Sequence, residues 1–512
     1  MLAIAYSAAV SPFRRKRGVA VGYLSSALYR HPVSLTLTRT AIPWLILSYA
    51  SSGLAQIAPV SLDHPWHDAQ EQQIQTDAKQ FRESRFNVDP NTVYSLPELI
   101  GLAESHNPET RIAWEGARAQ LAAWGVARSE LYPTLGATVL SQINRAEVML
   151  ANRFYRQTTP EFAGVLELNY LIFDFGGRAG RIATAKAQLL AADFAFNDTH
   201  RKLIDQVAQT YYRLLNAMGQ EEATRASLMN AQTVQQAAEQ RLENGMATMP
   251  DVLEARSAAA QAEYDLQSVL GLEEIARGDL ATALGASATS AFRVQPLSQV
   301  PVPESLSGTV DQAIDQAFQQ RPDLLHQLAE VRAANARIKE TRAAYYPTLS
   351  VNGTPAAQSL YGWQQKLPWS HTADLNGSLT LSLSWTLFDG GARKNRLAQA
   401  EAERRGAEAQ VSATRDQITN EIWTSYSDLK TALRERQSAL ALLEAANQSY
   451  AAELESYKYG VRSFLDVTAA QRTLAQARSS DVLARTQVLS ALANLAFQTA
   501  NAIQSGAPRG RP

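Results

Sequence analysis

The sequence contains no cysteine. Disulfides, thiolate metal sites, cysteine nucleophiles and a lipid-bearing N-terminal cysteine are therefore excluded. No apolar run is long enough to cross a membrane as a helix, because the best candidate, Ala41–Ala50, has about ten residues where roughly 20 are needed. Basic residues are not in excess, with 48 Lys and Arg against 49 Asp and Glu. The absence of a basic stripe argues against nucleic acid as a partner.

The first 55 residues are typical of an export signal. Arg39 precedes the apolar run, and the small residues Ser52-Gly-Leu-Ala55 follow it, which predicts cleavage after Ala55. A lone N-terminal membrane anchor is the alternative. Residues 1–55 hold six basic and no acidic residues, so their removal takes the formal charge from −1 to −7. We expect an exported, mildly acidic protein that begins with an extension over residues 56–94.

The rest of the chain is duplicated. The second half repeats landmarks of the first at an offset of 214 and then 215 positions, over about 145 residues. The matched pairs are Pro108 and Pro322, Tyr132-Pro133-Thr134-Leu135 and Tyr346-Pro347-Thr348-Leu349, Phe173-Asp174 and Phe388-Asp389, Gly245 and Gly460, and Asp251-Val252 and Asp466-Val467. Alanine-rich helices align easily with one another by chance. Chance alignment does not explain why proline, glycine and aspartate residues also match at a constant offset. We predict copies at 95–285 and 308–504, a linker at 286–307 and a disordered tail at 505–512.

Each copy is predicted to contain two shorter helices, two strands and one very long helix, an α+β fold that is mostly helical. No proline lies between Pro160 and Pro250 or between Pro368 and Pro508. Helices from Gly177 to Asn244 and from Gly391 to Tyr459 would each be rods of roughly 100 Å. Ile418, Ile422, Tyr426, Leu429 and Leu433 have the spacing of a buried seam along the second rod. Rods of this length must pack side by side.

The clearest predicted strand is Leu375–Leu387, where leucines alternate with small hydroxyl residues and asparagine. Period-two alternation of this length is typical of a tilted membrane strand, with leucines toward lipid; a strand of a soluble sandwich is the alternative. The strand at about 162–173 alternates less cleanly. Four strands per chain leave open edges, which hydrocarbon does not tolerate. The strands must therefore be shared with other chains in an oligomer, whose number this argument does not give.

Each long helix is predicted to end in a tight reversal, with glycine as the stop signal and Thr248 or Ser463 as the cap of the next helix. These tips are Glu243–Asp251 and Lys458–Asp466. Helix capping accounts for the glycines, hydroxyls and aspartates, but not for Tyr457 and Arg462 beside the second tip.

The duplicated Gly-x-x-Ser/Thr-x-x-Asp-Val tips, Tyr-Pro-Thr-Leu and Phe-Asp-x-Gly motifs resemble the TolC-type outer membrane efflux protein family over nearly all of residues 95–504. The resemblance implies a homotrimer with a twelve-stranded transmembrane β-barrel and a twelve-helix periplasmic α-barrel. It also implies a periplasmic adaptor and an inner-membrane pump as partners. Tyr457 and Arg462 would hold a closed entrance by reaching toward Asp251, and Asp466 would line the constriction. Gly245, Thr248, Gly460 and Ser463 would contact the adaptor. Ala469 replaces a second constriction carboxylate found in some members, so only one acidic ring is expected.

No catalytic or metal-binding constellation is visible, so we expect neither an enzyme nor a cofactor. Asp174-Phe175-Gly176 lacks the other motifs of a kinase. His64 and His67 flank Pro65-Trp66 in a polar segment, and the remaining histidines are scattered without the spacing of metal ligands. A soluble periplasmic coiled-coil scaffold or adaptor is the competing interpretation. The leucine face of 375–387 argues against it, because a soluble protein has no reason to expose that face.

Overall fold

The structure is a computed structural model that describes residues 71–81, 86, 88–303, 309–364 and 367–500. The predicted signal peptide, the tail predicted to be disordered, and His64 and His67 lie outside these residues. The chain divides into two units. In the first, which ends at Glu83, the described residues form helix α1, Glu71–Phe81. All other elements belong to the second unit, which begins at Ser84.

The second unit repeats one order of elements. The first copy consists of α2 (Leu96–His106), α3 (Pro108–Ser129), β2 (Thr134–Leu150), β3 (Arg153–Phe173), α4 (Gly177–Glu243) and α5 (Met249–Ala283). The second consists of α6 (Val310–Gln320), α7 (Pro322–Ala343), β5 (Thr348–Gly353), β6 (Ala356–Gln364), β7 (Ser370–Asn376), β8 (Leu379–Ser384), α8 (Ala392–Lys458) and α9 (Phe464–Gln498). Between the copies, β4 (Arg293–Val294) pairs in parallel with β1 (Val93–Tyr94). The two predicted rods are confirmed as α4 and α8.

The long helices begin at a turn built by aspartate and two left-handed residues. In the second copy Gly390 and Gly391 have φ of +64° and +89°, and Asp389 accepts the backbone N–H of Arg393 at 3.0 Å. In the first copy Phe175 and Gly176 take the same positions, with φ of +53° and +94°. The Asp-x-Gly motif is therefore a strand-to-helix turn in both copies.

The helices form one layer in a fixed order. The central helix α4 packs against α3 and α5 on one side and against α7 and α9 on the other, and α8 packs beyond α7 and α9. Leu203, Val207 and Leu214 of α4 are buried in the main core together with Leu280 of α5. Of the predicted seam on α8, Ile418, Ile422 and Leu429 are buried, and Leu433 and Tyr426 are half-buried. The layer therefore has two edges, α3 with α5 at one and α8 at the other.

The sheet follows the same order as the helices. Strand β2 pairs with β3, β3 pairs with both β5 and β6, and these pair with β8 and β7 respectively, all antiparallel. Its edges are therefore β2, which follows α3, and β7 with β8, which precede α8. None of the helices that the structure describes has both the length and the apolar character required to cross a membrane.

The prediction of one uninterrupted strand at Leu375–Leu387 was wrong. The strand segment starts at Ser370, breaks at Gly377-Ser378 and ends at Ser384. Its partner breaks at the facing Thr354-Pro355, because Pro355 has no N–H to donate to a ladder. A Cβ on Gly377 would lie 2.9 Å from the Cα of Pro355, so only glycine fits there. The predicted strand at 162–173 in turn extends back to Arg153.

The predicted alternation of the two faces is confirmed. Leu379, Leu381 and Leu383 lie on one face and are 65–78% exposed, with Leu135 and Leu168 on the same face through the strand pairing. The opposite face is polar, and hydrogen bonds join its side chains across neighbouring strands. These run from Gln142 to Glu161 and from Gln358 to Glu161, each at 2.6 Å. One sheet surface is thus apolar and open, and the other is hydrophilic.

Candidate functional site

The two reversals of the long helices lie beside each other at the end of the helical layer farthest from the sheet. Each ends its helix with glycine in the left-handed conformation, Gly245 at φ +70° and Gly460 at φ +78°. Around Gly245, the N–H of Met246 donates to Arg241 O at 2.7 Å and that of Gly245 to Leu242 O at 2.9 Å. The second tip has equivalent bonds, from Val461 to Ser456 O at 2.9 Å and from Gly460 to Tyr457 O at 3.0 Å. This is the Schellman pattern, in which otherwise unpaired carbonyls accept bonds at a helix end.

Both tips restart with the predicted capping box. Thr248 donates its hydroxyl and its backbone N–H to Asp251 Oδ2 at 2.7 and 2.9 Å, and these bonds lower the pKa of Asp251. Ser463 donates to Asp466 Oδ2 in the same way, at 2.8 and 3.1 Å. The Ser463 hydroxyl bond is likewise the main reason that the pKa of Asp466 is lowered. Both carboxylates are therefore charged at neutral pH.

Tyr457 lies inside the second tip, where only 4% of its surface is exposed. Its ring contacts Phe464 edge-on, with the centroids 5.9 Å apart, and the Arg241 guanidinium lies 4.5 Å from its centroid. Burial raises the pKa of the Tyr457 phenol. Among the described residues the phenol has no hydrogen-bond partner. A buried hydroxyl without a partner is destabilising unless another group reaches it.

Arg241, which the sequence analysis missed, joins the first tip to the second. It donates from Nη1 to the carbonyl of Tyr457 and from Nη2 to the carbonyl of Met246 at 3.3 Å. Its positive charge contributes to the lowered pKa of Asp251. One guanidinium thus contacts the C-terminal ends of both long helices, where a cation is favoured by the helix dipoles. The sequence signal that could have identified Arg241 is a basic residue in the last turn of the long helix α4.

Arg462 is placed differently from what the resemblance implies. Within the protomer its Nε lies 3.4 Å from Glu453 Oε2, and it makes no contact with Asp251 that the structure describes. Its charge also contributes to the lowered pKa of Asp466. The structure therefore brings Tyr457, Asp251 and Arg241 together, and Arg462 with Asp466 and Glu453. A contact between Arg462 and Asp251 stays a prediction.

The outside of both tips is apolar and open to solvent. The exposed side chains are Met246, Met249 and Leu253 on the first tip and Tyr459, Val461 and Leu465 on the second. Exposed apolar side chains grouped at the end of a helical layer are typical of a surface that binds another protein. Within the described part of the chain, no group of three or more His, Asp or Glu residues could hold a metal ion.

Comparison with known proteins gives consistent results. The family model described as "Outer membrane efflux protein" matches residues 99–286 and 313–501. The protein CyaE of Bordetella pertussis is 26% identical over 410 residues, which cover 78% of this chain and 83% of CyaE. The outer membrane protein OprJ of Pseudomonas aeruginosa is 25% identical, over 74% of this chain and 78% of OprJ. A crystal structure of a membrane protein from Pseudomonas aeruginosa superposes with a TM-score of 0.70 at 24% identity, covering 81% of this chain and 91% of the other.

Proposed function

The chain belongs to the outer membrane efflux protein family, and on that premise we propose that it is one protomer of a trimeric exit channel. It is an efflux protein of the outer membrane, from a family of transport proteins rather than enzymes. We propose a passive conduit of a tripartite efflux or type I secretion system. Its helices extend into the periplasm of a Gram-negative cell, where an adaptor and an inner-membrane pump open the helical tips.

The matching edges of the sheet and of the helical layer carry this proposal. At one edge lie β2, α3 and α5, and at the other lie β7, β8 and α8. Unpaired strand edges are not tolerated in hydrocarbon, so each edge must find a partner. Because the two edges of one chain differ, the contact is head-to-tail, and only a closed ring of such contacts leaves no strand edge in hydrocarbon. Three chains of four strand positions give a twelve-stranded barrel, continued by a twelve-helix tunnel.

Exposed apolar side chains on the helical edges support the same closure. On α3 and α5, Ile112, Val126, Leu272 and Ile275 are 57–72% exposed. On α8, Trp423, Leu440 and Leu442 are 44–58% exposed. Joining the two edges would remove these surfaces from water, which is favourable at roughly 25 cal/mol per Å² of apolar area.

The tips supply the proposed gate, which consists of Asp251, Tyr457, Arg462 and Asp466, with Arg241 added by the structure. Tyr457 and Arg241 hold the two tips of one protomer together. One Asp466 from each of three chains would place three negative charges around the axis and favour cations locally. The adaptor would dock on the apolar tip surface, next to Gly245, Thr248, Gly460 and Ser463.

A soluble periplasmic scaffold or adaptor is the second candidate. The open leucine face of β8, 65–78% exposed, is against it, because a soluble protein buries such a surface. Two measurements separate these candidates. The channel must need detergent for extraction from washed membranes and have the mass of three chains in native mass spectrometry. Release of a folded protein into detergent-free buffer would contradict the proposal.

The gate is tested by single-channel recording in a planar lipid bilayer. Replacing Tyr457 by Phe and Arg462 by Ala removes the phenol and the guanidinium that are proposed to reach toward Asp251 across the closed entrance, and should raise the conductance of the closed channel. The matched control is Arg256→Ala, which removes an exposed ion pair with Glu239 on the first hairpin at 2.9 Å. Unchanged conductance in the double variant would show that the gate is elsewhere.

A further inference from the structure

The apolar face of the sheet is interrupted by charged residues on the β2–β3 hairpin, before the exposed apolar pair Met149 and Phe154 at the tip of the hairpin. Along β2, Leu135, Val139 and Ile143 point to this face and are 70–74% exposed. Two residues past Ile143 the same face carries Arg145, opposite Thr158, and the next pair on that face is Glu147 with Arg156. The register has no shift along this hairpin, so the alternation of side chains assigns these residues to the apolar face.

Both arginines are exposed and unpaired. The side chains of Arg145 and Arg156 make no hydrogen bond or ion pair with any residue that the structure describes. Glu147 stands opposite Arg156 without forming an ion pair, which leaves both guanidinium groups free to bind an external anion.

The position of Arg145 along the strand matches the boundary of a bilayer. From Leu135 to Ile143 the strand advances eight residues, which at about 3.3 Å each and a tilt near 40° give a height of about 20 Å. This is close to the apolar band of about 25 Å on outer-membrane barrels. Trp363 lies beside Thr158 on the neighbouring strand, 6.4 Å from Trp369 between ring centroids. Tryptophans on this face are typical of a membrane–water interface.

We propose that Arg145 and Arg156 bind phosphate groups on the headgroups of outer-leaflet glycolipids. The proposal rests on the proposed function, because the β2–β3 hairpin lies at the end of the sheet farthest from the helices and thus faces the cell exterior. A guanidinium binds phosphate through two parallel hydrogen bonds and is weakly hydrated, so it suits the interface better than lysine does. Glu147 lies on the same face and lowers the net positive charge of the site. Binding therefore depends on hydrogen bonds from the guanidinium groups to phosphate, and not on positive charge alone.

The chain offers a matched control on the same hairpin. Arg153 is exposed and unpaired, but it stands opposite Leu150 on the other face of the sheet, which would face the channel interior. Arg153→Gln therefore removes the same charge from the same hairpin, three residues from Arg156 along β3, on the side away from lipid.

The test measures lipid binding to the full-length protein by native mass spectrometry, with bisphosphorylated lipid A, its phosphate-free form and phosphatidylglycerol as probes. The double variant R145Q/R156Q should bind bisphosphorylated lipid A about tenfold more weakly than the wild type. Arg153→Gln should bind it like the wild type, and the phosphate-free form should bind equally weakly to all three.

Three results would overturn the inference. The first is unchanged binding of bisphosphorylated lipid A in R145Q/R156Q. The second is an equal loss of binding in Arg153→Gln, which would indicate an effect of net charge alone. The third is binding of phosphatidylglycerol as tight as that of bisphosphorylated lipid A. Planar-bilayer conductance of the same samples separates this inference from the proposed function. A wild type that conducts while R145Q/R156Q binds lipid normally contradicts only the lipid site. A wild type that forms no channel contradicts the proposed function itself.

Discussion

In each copy, the residue before the second short helix (α3 or α7) is bonded to the C-terminal end of the helix that follows the tip (α5 or α9). The two copies make this joint in different ways. In the first copy Asn107, which caps α3, donates from Nδ2 to the Ala283 carbonyl at 2.9 Å. At the matching position in the second copy, Arg321 donates from Nη1 to Gln498 Oε1 at 2.9 Å and to Glu421 at 2.8 Å. Both residues are more than 90% buried. One joint is a neutral hydrogen bond and the other a buried cluster of charges.

The charged joint extends beyond Arg321. Arg321 also pairs with Asp323, and Asp323 lies 3.7 Å from the fully buried Arg201. Arg201 in turn donates to the Phe497 carbonyl at 3.0 Å. The cluster therefore connects the long helix of the first copy to the C-terminal end of the second. Equivalent positions of a duplicated chain can thus make the same joint but differ in how much stability is lost when the joint is broken. A buried charge that loses its partner costs far more free energy than a lost neutral hydrogen bond.

Removing one partner of the charged joint should have the largest effect. Arg321→Met leaves Glu421 without its cation and Asp323 with only Arg201, 3.7 Å away, so it should lower the free energy of unfolding by about 3 kcal/mol. Asn107→Ala, its counterpart, should cost about 1–2 kcal/mol through the lost cap and hydrogen bond. Urea unfolding of the detergent-solubilised protein, followed by circular dichroism, measures both. Equal losses would show that the two joints are energetically alike.

The strand-to-helix turns should behave alike in the two copies. Gly176 and Gly391 have φ of +94° and +89°, and a Cβ at either would meet no atom within 4 Å. Substitution by alanine therefore adds only backbone strain, of about 1–2 kcal/mol at each position. The same urea experiment tests this. A much larger loss for one of the two would show that the copies differ at this turn as well.

The tips should differ in their dependence on Arg241. Arg241→Gln removes the guanidinium that contacts both helix ends, so the second tip should loosen although the change lies in the first. Faster hydrogen exchange in 457–466 of the variant, measured by mass spectrometry, is the expected result. Arg256→Gln on the same hairpin is the control and should leave that exchange unchanged. Unaltered exchange in both variants would mean that Arg241 does not hold the second tip.

As the pH is lowered, the charged joint at Arg321 should lose stability before the neutral joint at Asn107. Burial alone would raise the pKa of Asp323, but the hydrogen bonds and charge of Arg321, together with the charge of Arg201, outweigh it and lower the pKa below the usual 3.8. A carboxylate with a lowered folded pKa stabilises the protein above its unfolded pKa, and this stability is lost as the pH falls through the folded value. Below about pH 4, hydrogen exchange should therefore increase in α7 before α3. Simultaneous increases would contradict this order.

Local sequence patterns predicted the parts of the fold that depend on neighbouring residues. Gly245 with Thr248 and Gly460 with Ser463 marked both reversals, and the absence of proline marked the rods. The patterns missed contacts between distant segments. Arg241 meets Tyr457 across 216 residues of sequence and Arg321 meets Gln498 across 177, and no periodicity reports such pairs. The strand break was missed because Gly377 matches the apolar phase of the alternation, while its cause, Pro355, lies on the partner strand.

That break at Pro355 and Gly377 has a mechanical consequence. The ladder of β5 with β8 is continuous with the helices, whereas the ladder of β6 with β7 lies beyond the break and is tied to it through β3. When the tips move, α7 and α8 would transmit a torque to the sheet. Between the β5–β8 and β6–β7 ladders, this torque meets the interrupted pairing at Pro355 and Gly377. We expect the sheet to bend there, so that the outer half of the sheet keeps its shape while the inner half follows the helices.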